Sequence, residues 1–312
     1  MLDDLPGILR CPRCGAPMKC QGPVQRDDVE VRAGTLACDG PDGHAFEVRD
    51  GIVRLGAGMA DPIVKSELEY ERNTYVGDPR LVDPEIIAGF PERLVELWPN
   101  NREFAGDFRD LVRHLKLGTG TRTLDVGTGA CWSSRLLAEA GGQVVALDVN
   151  DHAFCGLGAA DIQMRAHGVR FDRVLESMTR LPFANGTFDQ VVFNASLHHT
   201  PDLAVTLREC RRVLRAGGLV ALANEEFSSL RQWIQPQPSA EAGSHHDIDA
   251  WAFHRAVRKA GFRISYHVVT HVRRALERRL GGTVSSVATA LLEAFPPLHW
   301  QLNSKVIVLR PE

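Results

Sequence analysis

LDVGTGACWSSRLLAEAGGQVVALDVN, residues 124–150, decides the fold. An apolar strand runs into a glycine-rich turn, the turn opens a helix, and the helix stops at Gly141-Gly142 before a second apolar strand. That order lets backbone N–H groups of the turn approach a ligand at the helix N-terminus. Asp148, some 20 residues further on, ends the second strand, where a carboxylate accepts hydrogen bonds from ribose hydroxyls. Dinucleotide binders share both features but use G-x-G-x-x-G. Here Gly127 and Gly129 are followed by Ala130, Cys131 and, at the third position, Trp132. Trp132 obstructs the close packing a pyrophosphate needs, and Asp125 beside the turn would repel it. The same carboxylate suits a cationic amine and sulfonium.

Outward from this stretch the text keeps alternating. VRFDRVLES, FDQVVFNAS, LVALANEE, FRISYHVV and KVIVLR read as further strands, separated by helices such as LAVTLRECRRVLRAGG and IDAWAFHRAVRKAG. Short buried strands alternating with helices predict an α/β, doubly wound, mostly parallel sheet. The D-x-G-x-G of Asp125, Gly127 and Gly129 resembles the S-adenosylmethionine site of class I methyltransferases. LPFANGTFDQVVFNASLHHTPDLAVTLRECRRVLRAGGLVALANE (181–225) resembles the motif stretch of that family, the methyltransferase type 11-like domain, and the similarity covers roughly 121–226.

The resemblance implies a seven-stranded class I sheet and S-adenosyl-L-methionine as cofactor. By position it places Asp125, Gly127 and Gly129 at the methionine end and Asp148 at the ribose. Met178 would pack on adenine. Ser177 stands where the family has an acidic residue for the adenine amine. Asn194 would face the reacting methyl, and His199 matches a histidine common in the motif. Cys131 replaces the family's third glycine. Leu181-Pro182-Phe183 and Gly217-Gly218 are expected to be structural.

Four of the seven cysteines lie in the first 38 residues: Cys11, Cys14, Cys20 and Cys38. A unit of about 57 residues with few helix signals can hardly bury an adequate core alone, so a staple is expected. Cys11-x2-Cys14 with Cys38 and His44 forms a plausible tetrahedral zinc set on two knuckle turns, with a structural role. The segment is similar to the zinc-ribbon head of the ribosomal-RNA guanine methyltransferases and to small zinc-ribbon activators of methyltransferases. The Cys38–His44 gap is two residues longer than in the guanine enzymes, which leaves Cys20 as a rival to His44.

The chain has 312 residues, 44% hydrophobic and 24% charged, with a formal charge of −3. This excludes a disordered or coiled-coil protein and a global basic field for nucleic acid. Apolar runs fall short of the ~20 residues of a membrane span, and the acidic N-terminus is unlike a secretory signal. A cytoplasmic enzyme is expected. Three units are predicted: a zinc-ribbon-like head at 1–57, a helical linker or lid at 58–117, and the cofactor-binding domain at 118–312. Tyr70 or Tyr75 of the lid are candidates to reach the site.

The expected activity is methyl transfer to a small-molecule acceptor with a histidine as base. His198 and His199 follow the fourth strand, at the carboxyl end where ligands bind. Glu225, Glu226, His245, His246 and Asp247 are further candidates, and Ser244 to Asp249 could equally cap a helix. RNA methylation aided by the head is the alternative. Against it, residues 1–57 carry seven Lys/Arg and nine Asp/Glu, whereas an RNA grip should be basic. The basic cluster Arg273-Arg274…Arg278-Arg279 reads as a solvated helix face. A cofactor-binding regulatory module without turnover is the non-enzymatic alternative.

Overall fold

The computed structural model describes residues 1–56, 79–99, 103–227, 247–269 and 305–312, with isolated positions between them. Tyr70, Tyr75, His245, His246 and the 273–279 cluster lie outside the described residues. Among the described residues eleven strands form one sheet. In chain order they are β1 (Met18–Arg26), β2 (Val31–Cys38), β3 (Ala45–Arg49), β4 (Ile52–Arg54), β5 (Arg122–Val126) and β6 (Gln143–Asp148), then β7 (Asp172–Leu175), β8 (Phe188–Asn194), β9 (Leu214–Ala223), β10 (Phe262–Val269) and β11 (Lys305–Pro311). Their order across the sheet is β1-β2-β3-β4-β7-β6-β5-β8-β9-β11-β10. The last seven positions are the expected seven-stranded sheet. It is parallel from β7 to β9, with β11 and β10 antiparallel at the edge.

Alternation along the strands sends side chains to two apolar layers. On β9, Val220 and Leu222 join one core and Leu219, Ala221 and Ala223 the other. The first layer carries Leu207 and Cys210 of α7 (Leu203–Val213) and Phe253 and Val257 of α8 (Ala250–Lys259). The second carries Phe108 and Leu111 of α4 (Phe104–Leu115), Leu137 of α5 (Trp132–Glu139) and Met164 of α6 (Ala160–His167). Strands covered on both faces read as near-continuous apolar runs, which is why the text of β6 and β8 was legible.

The head does not form an isolated island. β4 pairs in parallel with β7, so the antiparallel β1–β4 ribbon continues the central sheet. Leu36, Phe46 and Val48 of the ribbon belong to the same apolar layer as Leu124 and Val191. A second joint uses the Leu181-Pro182-Phe183 motif: Arg10 N–H donates to Pro182 O at 2.9 Å, and Ala184 N–H to Ile8 O at 2.9 Å. Phe183 is fully buried, edge-on to Phe188 at 4.9 Å. The small head thus borrows the core it cannot build alone.

Two helix boundaries differ from the sequence reading. Within the expected helical linker the stretch PEIIAGFPERLVELW (84–98) breaks in two: α2 (Pro84–Ala88) and α3 (Leu94–Leu97) are separated around Pro91, which has no N–H to give a continuing helix. The helix before Gly217-Gly218 ends earlier, at Val213. The glycine pair lies inside β9, where Gly217 has φ +80° and a Cβ on Gly218 would come within 3.0 Å of Asp189 O. The pair lets the chain fold tightly onto β8 rather than stopping the helix.

Candidate functional site

The sheet reverses its winding at β5, with β6 on one side and β8 on the other, so a crevice opens beyond their carboxyl ends. The 127–131 turn forms its floor. Gly127 sits at φ +68°, and a Cβ there would meet Ser196 Cβ at 2.5 Å, so the close approach requires glycine. Ser196 Oγ donates to Val126 O at 2.6 Å, fixing the β8 loop over this glycine. Gly129 N–H donates to Asp148 Oδ2 at 2.8 Å, and Asn150 N–H to Oδ1 at 2.9 Å. Burial raises the Asp148 pKa, against the pull of these N–H donors and of nearby His199. Cys131 takes φ +59° without being glycine, held by a 3.0 Å contact from Thr128 Oγ1 to its thiol.

Gly127, Gly129, Asp148, Ser177, Met178, Asn194 and His199 all line the crevice. Asp125 does not: it is fully buried beneath the turn, its Oδ2 accepting 2.6 Å bonds from Ser133 and Ser134. Its Oδ1 has no hydrogen-bond partner, and burial pushes its carboxyl up to about 6. Asn194 Oδ1 accepts from Asn224 Nδ2 at 2.8 Å, and the same Nδ2 reaches Phe104 O at 3.1 Å, tying β8 to α4. Two contributors escaped the sequence reading. Glu176 follows β7 and lines the crevice, its carboxylate accepting from Ser177 N–H at 2.8 Å. Its signal was an acidic residue one position before the one the motif aligns. Asn224 gave none, since its role arises from a left-handed φ of +58° after β9.

The two motif histidines point to different places. His198 turns into the core, its Nδ1 2.9 Å from Glu225, while His199 faces the crevice. Glu225, one of the candidate bases, is consumed by this turn: it accepts from the N–H groups of Ser196, Leu197 and His198 at 3.0–3.1 Å. Burial opposes the Glu225 charge, but the His198 ring and those donors more than offset it, so its pKa lies below the ordinary 4.5. A lowered carboxylate pKa contributes stability that is present above about 4.5 and is lost as pH falls through the folded-state value. Glu225→Gln should therefore flatten the acid limb of the stability curve below pH 4.5, read as melting temperature against pH. Asp249, in the Ser244–Asp249 segment, caps α8 by accepting from Ala252 N–H at 2.6 Å.

A second cluster lies on the head. Tight turns at 11–16 and 38–44 bring Cys11, Cys14, Cys38 and His44 together, all ligand atoms within 4.8 Å of one another. Cys11 Sγ and Cys38 Sγ stand 3.6 and 3.7 Å from His44 Nδ1, and Cys14 Sγ is 3.7 Å from Cys38 Sγ. A tetrahedron with Zn–S of ~2.3 Å and Zn–N of ~2.0–2.1 Å has edges of about 3.8 and 3.6 Å. The donor set and its spacing therefore fit zinc, with His44 in the fourth place. Cys20 lies exposed on β1, outside the group. Burial works against the Cys38 thiolate, yet Gly40 N–H, His44 and the neighbouring thiols bring its pKa down to about 7. A Cβ on Gly40 would meet Cys14 Sγ at 2.7 Å. Gly40→Ala should thus accelerate zinc loss to a chromogenic chelator while leaving the sheet's far-ultraviolet signal intact.

Residues 124–222 match the family model described as a methyltransferase domain. The chain is 35% identical over 115 residues to demethylmenaquinone methyltransferase of Mycobacterium marinum, covering 37% of this chain and 45% of that protein. It is 32% identical over 157 residues to methyltransferase GfsG of Streptomyces halstedii, covering 48% and 49%. The chain thus spans about half the length of the curated relatives it matches. Among solved structures, an S-adenosylmethionine-dependent methyltransferase from Aquifex aeolicus aligns with a TM-score of 0.44 at 20% identity, over 60% of this chain and 92% of that one. Among the described residues no helix is long and apolar enough to cross a membrane.

Proposed function

We propose that this chain, whose sheet domain is a class I S-adenosylmethionine-dependent methyltransferase domain, transfers the methyl group of that cofactor to a small-molecule acceptor. The observation that carries the reading is the glycine turn clasped by Asp148, with Gly129 N–H on its carboxylate, at the point where the sheet reverses its winding. The crevice residues fit the cofactor: Gly127 leaves the turn free of side chain, Asp148 at the end of β6 would accept from ribose hydroxyls, and Glu176 adds a second carboxyl group to the lining.

S-adenosylmethionine supplies a methyl group activated by its positive sulfonium. What remains for the chain is alignment, proton removal and exclusion of water. Asn194, held from behind by Asn224, is the residue that would face the reacting methyl. His199, which faces the crevice, is the imidazole that takes the proton an O–H or N–H acceptor sheds. The head, with zinc on Cys11, Cys14, Cys38 and His44, has a structural part: a four-ligand set leaves no open position for substrate.

Calorimetry with S-adenosylhomocysteine tests the cofactor site. Wild type should bind in the micromolar range, and Asp148→Ala should weaken binding by roughly 10- to 100-fold, the loss of a charged hydrogen-bond acceptor worth about 1.5–3 kcal/mol. A labelled-methyl transfer assay in cell extract, with products fractionated by size, tests the reaction. Label in a low-molecular-weight product supports the reading. Label in RNA transfers the reading to nucleic acid, and binding without label leaves a cofactor-binding module.

A further inference from the structure

The two sides of the crevice differ in kind. The sheet side presents Thr128, Asp148, Glu176, Ser177, Asn194 and Ser196; the opposite side presents Val64, Phe90, Leu94, Trp98, Phe104 and, from α5, Trp132. The polar side matches the adenosine and amino-acid groups of the cofactor. That leaves the aromatic side without an occupant.

This side is built, not loosely draped. Phe90 is 2% exposed, and its carbonyl accepts from Arg135 Nη2 at 2.5 Å. The adjoining turn is pinned where Gln163 Nε2 donates to Ile87 O at 2.6 Å. Phe104 is anchored through its carbonyl by Asn224, and it meets Trp132 at 6.2 Å between ring centroids. Trp132 in turn packs edge-on against Phe108 at 5.1 Å. The rings are therefore held before any ligand arrives, and a preorganised wall selects by shape and polarity rather than adapting.

Resting on the methyltransferase reading, we infer that the acceptor is an uncharged, ring-bearing apolar molecule, and that Phe90, Leu94, Trp98 and Phe104 set this preference. Polarity and charge agree. The carboxyl groups facing the crevice are those of Asp148 and Glu176, and among the described residues lining it there is no Lys or Arg. A phosphate or carboxylate on the acceptor would lose its hydration against aromatic carbon and find no Lys or Arg among these residues to replace it. An apolar ring instead buries its faces against Phe104 and Trp98 and presents one protonated heteroatom toward His199 and Asn194.

The test uses the full chain saturated with S-adenosylhomocysteine and the neutral dye Nile red as reporter, displaced by 2-naphthol or by 2-naphthyl phosphate. The two competitors share a ring system and differ in charge. Displacement by 2-naphthol at a concentration at least about tenfold lower is the expected result, a difference of about 1.4 kcal/mol. Trp98→Arg should abolish dye binding, and the milder Trp98→Gln should weaken it, with homocysteine-product affinity within about twofold of wild type. Equal or reversed displacement, no saturable dye binding, or dye binding untouched in both variants would overturn the inference. Failure of the wild type to bind S-adenosylhomocysteine would instead sink the methyltransferase reading on which it stands.

Discussion

His199→Ala is expected to lower turnover by roughly 10²–10⁴-fold, the usual worth of a positioned general base, while S-adenosylhomocysteine affinity stays close to wild type. The expectation follows from where the two neighbouring histidines point. His199 faces the crevice beside Asp148; His198 is 6% exposed and bound to Glu225. His198→Ala should therefore show the opposite pattern. It leaves the Glu225 carboxylate buried with one strong partner fewer, so melting temperature falls and surviving activity per folded molecule falls much less. Imidazole added to the buffer should restore part of the turnover of His199→Ala and none of that of His198→Ala. Equal effects of both substitutions on kcat, with no rescue, would remove His199 from the role of base.

Cys38→Ser is expected to lose zinc almost completely under conditions where the wild type retains one ion per chain, measured by metal analysis after gel filtration. Structural zinc in finger peptides contributes an apparent ~10–16 kcal/mol over four ligands, so one ligand accounts for about 2.5–4 kcal/mol, or roughly 70- to 900-fold in affinity. The consequence for the fold should be local. The head is also held by the β4–β7 pairing and by the bonds of Ile8 and Arg10 to the 182–184 segment. Hydrogen exchange in the chelated protein should accelerate at residues 11–16 and 38–44, with β5 to β9 still protected. Global unfolding on chelation would mean that the shared core contributes less than the burial of Leu36 and Val48 indicates.

Much of this molecule was legible in its text, for identifiable reasons. Strands buried on both faces must be apolar throughout, so β5, β6, β8 and β9 stood out as runs. A turn that brings backbone against a ligand excludes a Cβ, so Gly127 and Gly129 were conspicuous, and Asp148 could be placed by counting from them. Metal-ligand chemistry restricts residue type, which singled out Cys11, Cys14 and Cys38.

What the text could not express is direction and proximity. Adjacent histidines with identical chemistry were indistinguishable until the 196–199 turn, wound around Glu225, sent one ring inward and the other toward the crevice. Cys20 stayed a rival to the expected His44 until the β1–β2 register placed Cys20 on the exposed ribbon and the 38–44 turn brought His44 to the thiols. Asp125 belonged to the motif, yet two serines of the following helix draw its carboxylate beneath the turn. The joining of the head to the sheet through β4 was equally unreadable, because parallel pairing between residues 52–54 and 173–175 leaves no local mark in either segment. Sequence by itself determined which residues could do chemistry, since burial and bonding constrain residue type. Only the tertiary structure decided which of them face the same space, since that depends on how separate segments meet, whether some thirty residues apart as Glu225 and the 196–198 turn or over a hundred as β4 and β7.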